Sequence, residues 1–166
     1  MTAGEAVPGR PSRRAAPAMA VRGAPFRGAK LALIHDGCLL TLRRDDHPGL
    51  PFPGHWDLPG GGREGAESPA DCALREMAEE FGLRLSPARL LWHRAYAGPA
   101  GTGHFFAGRL TATEIAAIRF GDEGQEWRMM PLAEFLAHPL AVPHFRDRLL
   151  DALAARPDLA GGAAWS

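Results

Sequence analysis

Three glutamates, Glu76, Glu79 and Glu80, crowd the end of one amphipathic segment and constrain this chain more than any other feature. The pattern predicts a helix over Ser68–Phe81. Ser68 is placed to cap its start, with Asp71 three residues on, and Pro69 takes the first helical position, where a missing N–H does no harm. Gly82 supplies a left-handed stop. Positions three and four apart are neighbours on a helix, so the three glutamates share one narrow face. Ala73, Leu74, Met77 and Phe81 form a separate apolar stripe that must pack inward. Three carboxylates at the negative end of a helix repel one another and oppose its dipole. A merely solvated face needs no such clustering. A hard divalent cation relieves the repulsion, and ligation by oxygen alone points to Mg²⁺ or Mn²⁺.

Upstream lies Trp56-Asp57-Leu58, a short strand feeding Pro59-Gly60-Gly61-Gly62. Backbone in such a glycine run can approach a metal or phosphates closely. The spacing Gly61, Glu67, Arg75-Glu76-Met77, Glu79-Glu80, Gly82-Leu83 resembles the signature of the Nudix hydrolases at every specified position. Met77 stands where that pattern more often shows Ile, Leu or Val. The resemblance implies an α/β/α sandwich with a mixed β-sheet and cleavage of a diphosphate linkage in a nucleoside diphosphate joined to another group. It implies that Glu76, Glu79 and Glu80 ligate the metal together with the Gly61 carbonyl. Arg75 and Glu67 then orient the loop and the carboxylates, with Gly60, Gly62 and Gly82 as structural support. Arg75 also lies one helical turn from Glu79, an ordinary surface pair on its own.

Other residues acquire candidate roles by similarity to the MutT-type branch of that family. Glu123, in Gly121-Asp122-Glu123-Gly124-Gln125, becomes a metal ligand or general base beside Glu79 and Glu80, or an ordinary acidic loop residue. Arg44, or Arg43 next to it, becomes a phosphate contact, for which a planar guanidinium is suited. Trp127, Trp56 and Phe52 are candidates for stacking a base, against plain packing. The best reading is a (d)NTP pyrophosphohydrolase. Ala141 departs from the pattern: members that read oxidised guanine carry Asn there, and Ala has no such hydrogen bonds. Pro99, sixteen residues after Leu83, is near the spacing at which ADP-ribose-cleaving members carry proline, so ADP-ribose or a nucleotide sugar is the alternative. A catalytically silent nucleotide-binding module is disfavoured by the complete carboxylate set.

The remaining sequence sets limits. The 166 residues suit one domain. Zero net charge argues against a nucleic-acid partner, and no apolar run reaches the ~20 residues that span a bilayer. The resemblance implies a small nucleotide as partner and leaves a homodimer open, with the cytoplasm as the expected compartment. Lys30 is the only lysine among 19 basic residues. Cys38 and Cys72 read as small core residues in a reducing compartment. Residues 1–25, rich in Arg, Ala and Pro, read as a flexible arm, 26–155 as the Nudix domain and 156–166 as a loose tail. Strands are expected at Phe26–His35 and Cys38–Arg44 around an Asp36-Gly37 hairpin turn, then at Leu90–Tyr96, His104–Leu110 and Glu126–Met130. Helices are expected at Thr111–Ile118, Pro131–Ala137 and Pro143–Ala154.

Overall fold

The computed structural model describes residues 25–161. The arm expected over residues 1–25 lies, but for Pro25, outside them. The sheet is built from β1 (Gly28–His35), β2 (Cys38–Arg43), β3 (Trp56–Asp57), β4 (Gly60–Gly62), β5 (Leu90–Tyr96), β6 (Gly103–Arg109) and β7 (Glu126–Pro131). The hairpin forms where Asp36-Gly37 calls for it. Both residues have positive φ, and His35 pairs with Cys38. β1 runs parallel to β6 along its whole length, β5 adds antiparallel at the outer edge, and β7 lies antiparallel beside β2. The sheet is therefore mixed.

One feature of the register positions the site. β1 pairs with β2 only near its end, through Ile34 and His35. Its beginning pairs with β4 instead, Gly28 with Gly62, Ala29 with Gly61 and Lys30 with Gly60. The chain from Trp56 to Gly62 thus changes partner from β2 to β1 midway. The glycine run, to which the sequence assigns no element, is a strand. Gly60 makes the change feasible: its φ is +130°, and a Cβ there would sit 2.1 Å from the Ala29 carbonyl oxygen.

Helices cover both faces. On one, α1 (Pro69–Phe81) buries Cys72, Ala73, Met77 and Phe81 against Leu31, Leu33, Leu40 and Phe106. Leu74, expected in the inward stripe, is only half-buried, whereas Cys72 is in the core as expected. Ser68 Oγ accepts the Asp71 N–H at 3.1 Å, and Gly82 closes the helix at φ +67°. α2 (Ala112–Ala116) has the full capping box of Thr111 and Glu114, and is shorter than expected. On the opposite face, α3 (Leu132–Ala137) and α4 (Pro143–Ala155) bring Phe135, Phe145, Leu149 and Ala152 onto Ile34, Leu39, Phe105 and Met130.

The segment after α4 is not loose where it is described. Pro157–Leu159 forms a 3₁₀ turn, and Leu159 enters the α4-side core at 2% exposure. Arg156 ties down its start through Asp158 at 2.8 Å and the Leu91 carbonyl at 2.8 Å. Leu159→Ala is expected to lower stability by about 2–3 kcal/mol, the usual cost of a buried Leu truncation. Urea denaturation reads it, and an unchanged midpoint would show the turn to be undocked.

Candidate active site

Arg75 is the hub of the glutamate cluster. Its Nε and Nη2 donate to the two oxygens of Glu67 at 3.0 and 2.9 Å, a bidentate pair across the start of the helix. Nη2 also donates to the Gly62 carbonyl at 2.9 Å. Nη1 reaches Glu76 Oε1 at 3.0 Å and Glu79 Oε2 at 3.1 Å. One guanidinium therefore joins the strand β4, the loop behind it and two helix carboxylates. The Arg75 hydrogen bonds hold the Glu67 carboxyl down at about 2, against the opposing effect of burial. The Glu64 N–H, donating to Glu67 at 2.7 Å, acts in the same sense.

The three helix glutamates are not equivalent. Glu79 is turned outward, its side chain 55% exposed. Glu76 lies flat on β4: a Cβ at Gly61 would be 2.6 Å from its Oε1, so any larger residue there would displace the carboxylate. Burial raises the Glu76 pKa, with Arg75 opposing. Glu80 is 8% exposed and its Oε1 accepts the Gly60 N–H at 2.7 Å. Burial pushes its carboxyl up to about 7, with the nearby charge of Lys30 opposing. The Gly61 carbonyl lies 3.6 Å from Cys72 Sγ. Cys72, a core residue as expected, faces the glycine strand. Burial drives its thiol up to about 11, so it stays protonated at neutral pH.

Sequence reasoning missed two residues here. Lys30 Nζ donates to Asp57 Oδ2, the Leu58 carbonyl and the Gly60 carbonyl, each at 3.0 Å. Asp57, its side chain 4% exposed, also accepts Arg44 Nη1 at 2.8 Å and its neighbour Leu58 N–H at 2.6 Å. A lone lysine in an otherwise apolar strand was the available signal. Arg44 is thus anchored at the base of the site, and its Nε is buried with no partner among the described residues. Arg43 turns away, with Nε on the Gly54 carbonyl at 3.2 Å and Nη1 3.6 Å from Glu126.

The loop carrying Glu123 is docked against both the helix end and β2. Gly121 N–H donates to the Glu80 carbonyl at 2.8 Å, and Gln125 donates to the Arg43 and Arg44 carbonyls, both at 2.8 Å. Glu123 itself is exposed. Of the candidate stacking residues, Trp127 packs edge-on against Phe81 at 6.5 Å and Trp56 belongs to the α4-side core. Phe52 alone of the three is presented to solvent, 5.8 Å from His144. Ala141 is buried against Trp56, and Pro99 sits on an exposed turn.

Among the described residues, no three acidic, His or Cys side chains are gathered around one point. Arg75 holds Glu76 and Glu79, while Gly60 holds Glu80. The donor set still fits a hard dication. It is all oxygen, and burial penalises the charged forms of Glu76 and Glu80, a penalty that two positive charges would relieve.

A model of the NUDIX domain matches residues 24–153. The chain belongs to the Nudix family. The family generally works with divalent cations. The chain is similar to an uncharacterised Nudix hydrolase of Pseudomonas aeruginosa, 31% identical over 112 residues, or 60% of this chain and 64% of that one. It is also similar to the nucleoside triphosphatase NudI of Salmonella arizonae, 43% identical over 51 residues, or 31% of this chain and 36% of that one. The matches thus span less than two thirds of these curated relatives. The MutT protein of Methanosarcina mazei Go1 shares the fold at a TM-score of 0.60 and 22% identity, over 80% of this chain and 97% of that one. No described helix is long and apolar enough to cross a membrane.

Proposed function

We propose that this Nudix protein is a hydrolase of phosphorus-containing anhydrides that cleaves nucleoside triphosphates, as a MutT-type pyrophosphohydrolase. The observation that carries the reading is the Arg75 hub, which fixes Glu67, Glu76, Glu79 and the Gly62 carbonyl in one constellation. Glu76, Glu79 and Glu80, with the Gly61 carbonyl, would hold Mg²⁺ (or Mn²⁺), and Glu123 is the further candidate ligand. The ion supplies Lewis-acid polarisation of a phosphoryl oxygen and neutralises charge on the leaving phosphate.

The chain's own residues position and deprotonate. Water adds to one phosphorus of the P–O–P link, and the bridging oxygen departs with the other. The attacking water gives its proton to one of the candidate bases, Glu79, Glu80 or Glu123. Arg44 retains donors beyond the one given to Asp57, which suits it to a substrate phosphate. The similarity to NudI supports a triphosphate. Ala141, with no side-chain hydrogen bonds to offer, argues against recognition of oxidised guanine.

A substrate panel with Mg²⁺ tests this reading, scoring phosphate or diphosphate released from dNTPs, ADP-ribose, nucleotide sugars and dinucleoside polyphosphates. The expected result is selective turnover of triphosphates. Preference for ADP-ribose would replace it with the alternative and give Pro99 meaning. No turnover, with nucleotide still bound, would leave a silent binding module.

A further inference from the structure

Where the sheet begins, the α4 face has a floor without side chains. Gly62, Gly28 and Gly103 are register partners on three adjacent strands, and Tyr96 pairs with Gly103 on the fourth. Arg148 of α4 reaches over this floor. Its Nη1 lies 3.5 Å from where a Gly103 Cβ would be, and its guanidinium sits 4.6 Å from the Tyr96 ring centre and 5.7 Å from that of Phe145. Lys30 approaches the same Phe145 ring at 5.5 Å.

Positive charge here exceeds the carboxylates available to meet it. Asp57 is taken by Lys30, Arg44 and the Leu58 N–H. Asp151 is taken by the Tyr96 hydroxyl at 2.7 Å and by Arg94 at 3.4 Å. Arg148 has no carboxylate partner among the described residues, although it is half-buried. Burial and the charge of Arg27 both weaken its hold on its proton. His144 is likewise held below its usual range, by burial first and then by Arg148, with Lys30 and Arg27 adding to the effect. A half-buried guanidinium braced on aromatic rings, repelled by other cations and unpaired, calls for an anion.

We propose that Arg148, over Tyr96 and Phe145, forms a second anion subsite holding a substrate phosphate other than those of the scissile diphosphate. The proposal rests on the nucleotide reading above. Arg148 and Lys30 share the Phe145 ring, 5.7 and 5.5 Å from its centre, and Lys30 also holds the Gly60 carbonyl beside Glu80, so Arg148 lies within the reach of one ribose phosphorylated at both ends from the carboxylates. The ligand class is therefore a nucleotide bearing a phosphomonoester on its ribose besides the 5′ chain.

Calorimetric titration in EDTA compares AMP with adenosine 2′,5′-bisphosphate and adenosine 3′,5′-bisphosphate. At least one bisphosphate is expected to bind about tenfold more tightly than AMP, the worth of one charge-assisted contact. Arg148→Met, which keeps the apolar stem over Tyr96, should erase that margin, and Arg148→Lys should keep part of it. Bisphosphates binding no better than AMP would overturn the subsite and leave the hydrolase reading standing. So would a margin that survives in Arg148→Met. If Arg148→Met fails to fold, an undiminished margin in Arg148→Lys overturns the fork-specific contact. Failure of AMP and both bisphosphates to bind would overturn the subsite and count against the nucleotide reading as well.

Discussion

Glu80→Gln is expected to lower turnover by about 10²–10⁴-fold and, without metal, to make the protein more stable at pH 8. The two effects share one cause. Glu80 is a nearly buried carboxylate whose folded pKa, about 7, lies above the ordinary 4.5. Its charged form is therefore destabilising in the fold. Below the ordinary value it is protonated in both folded and unfolded chains and costs nothing. As pH rises from there towards 7, the unfolded chain releases the proton and the folded one must follow. Stability falls across that window by an amount on the order of 3 kcal/mol. Glu67 works in the opposite sense but lower on the scale, between the ordinary carboxylate range and about 2, and so does not mask it. Gln is the same shape, and its carbonyl can still accept the Gly60 N–H. The variant should match the wild type near pH 4.5 and exceed it at pH 8 when both are unfolded with urea in EDTA. A wild type that is the more stable at pH 8 would refute the burial argument. Near-full activity in the variant would remove Glu80 from the chemistry.

The contrast between Glu80 and Glu79 shows where a sequence stops being informative. Helical spacing places both on one face with Glu76, and local rules also predict the caps at Ser68 and Gly82 and the Asp36-Gly37 turn. Each of these depends on residues within a few positions of one another. Which glutamate is buried depends instead on β4 crossing from β2 to β1 and laying Gly60 against Glu80, twenty residues away. The same holds for Lys30 and Asp57, twenty-seven apart, and for Leu159, which finds its core only through the whole sheet. Leu74 falls short of its expected burial for a related reason. Periodicity gives the direction of an apolar stripe, but the close approach of β4 to α1 decides that a small thiol fits inward there while Leu74 stays at the margin.

Arg75→Ala is expected to lower both stability and activity, and the pattern across a small set of variants identifies why. The guanidinium is the shared partner of Glu67, Glu76 and Glu79, and Glu76 in turn feels the charge of Glu80. Removing it leaves half-buried negative charges facing one another. A loss of about 2–4 kcal/mol follows for a largely sheltered network, with a fall in kcat/KM of about 10–100-fold or more, as for residues that orient metal ligands. Arg75→Lys restores the charge but cannot give Glu67 two parallel hydrogen bonds while also reaching Gly62 and Glu79. It should recover part of the stability and little of the activity. Glu67→Gln combined with Arg75→Ala should cost less than the sum of the two, by about 0.5–3 kcal/mol, because both report one interaction. Acid sensitivity supplies an independent check. The stability that Glu67 contributes is present above the ordinary carboxylate range and is lost as pH falls towards 2. Most of that loss should go with Arg75, leaving the smaller share due to the Glu64 N–H. Additive variants, or full activity in Arg75→Lys, would show that Arg75 is no more than a surface partner of Glu79.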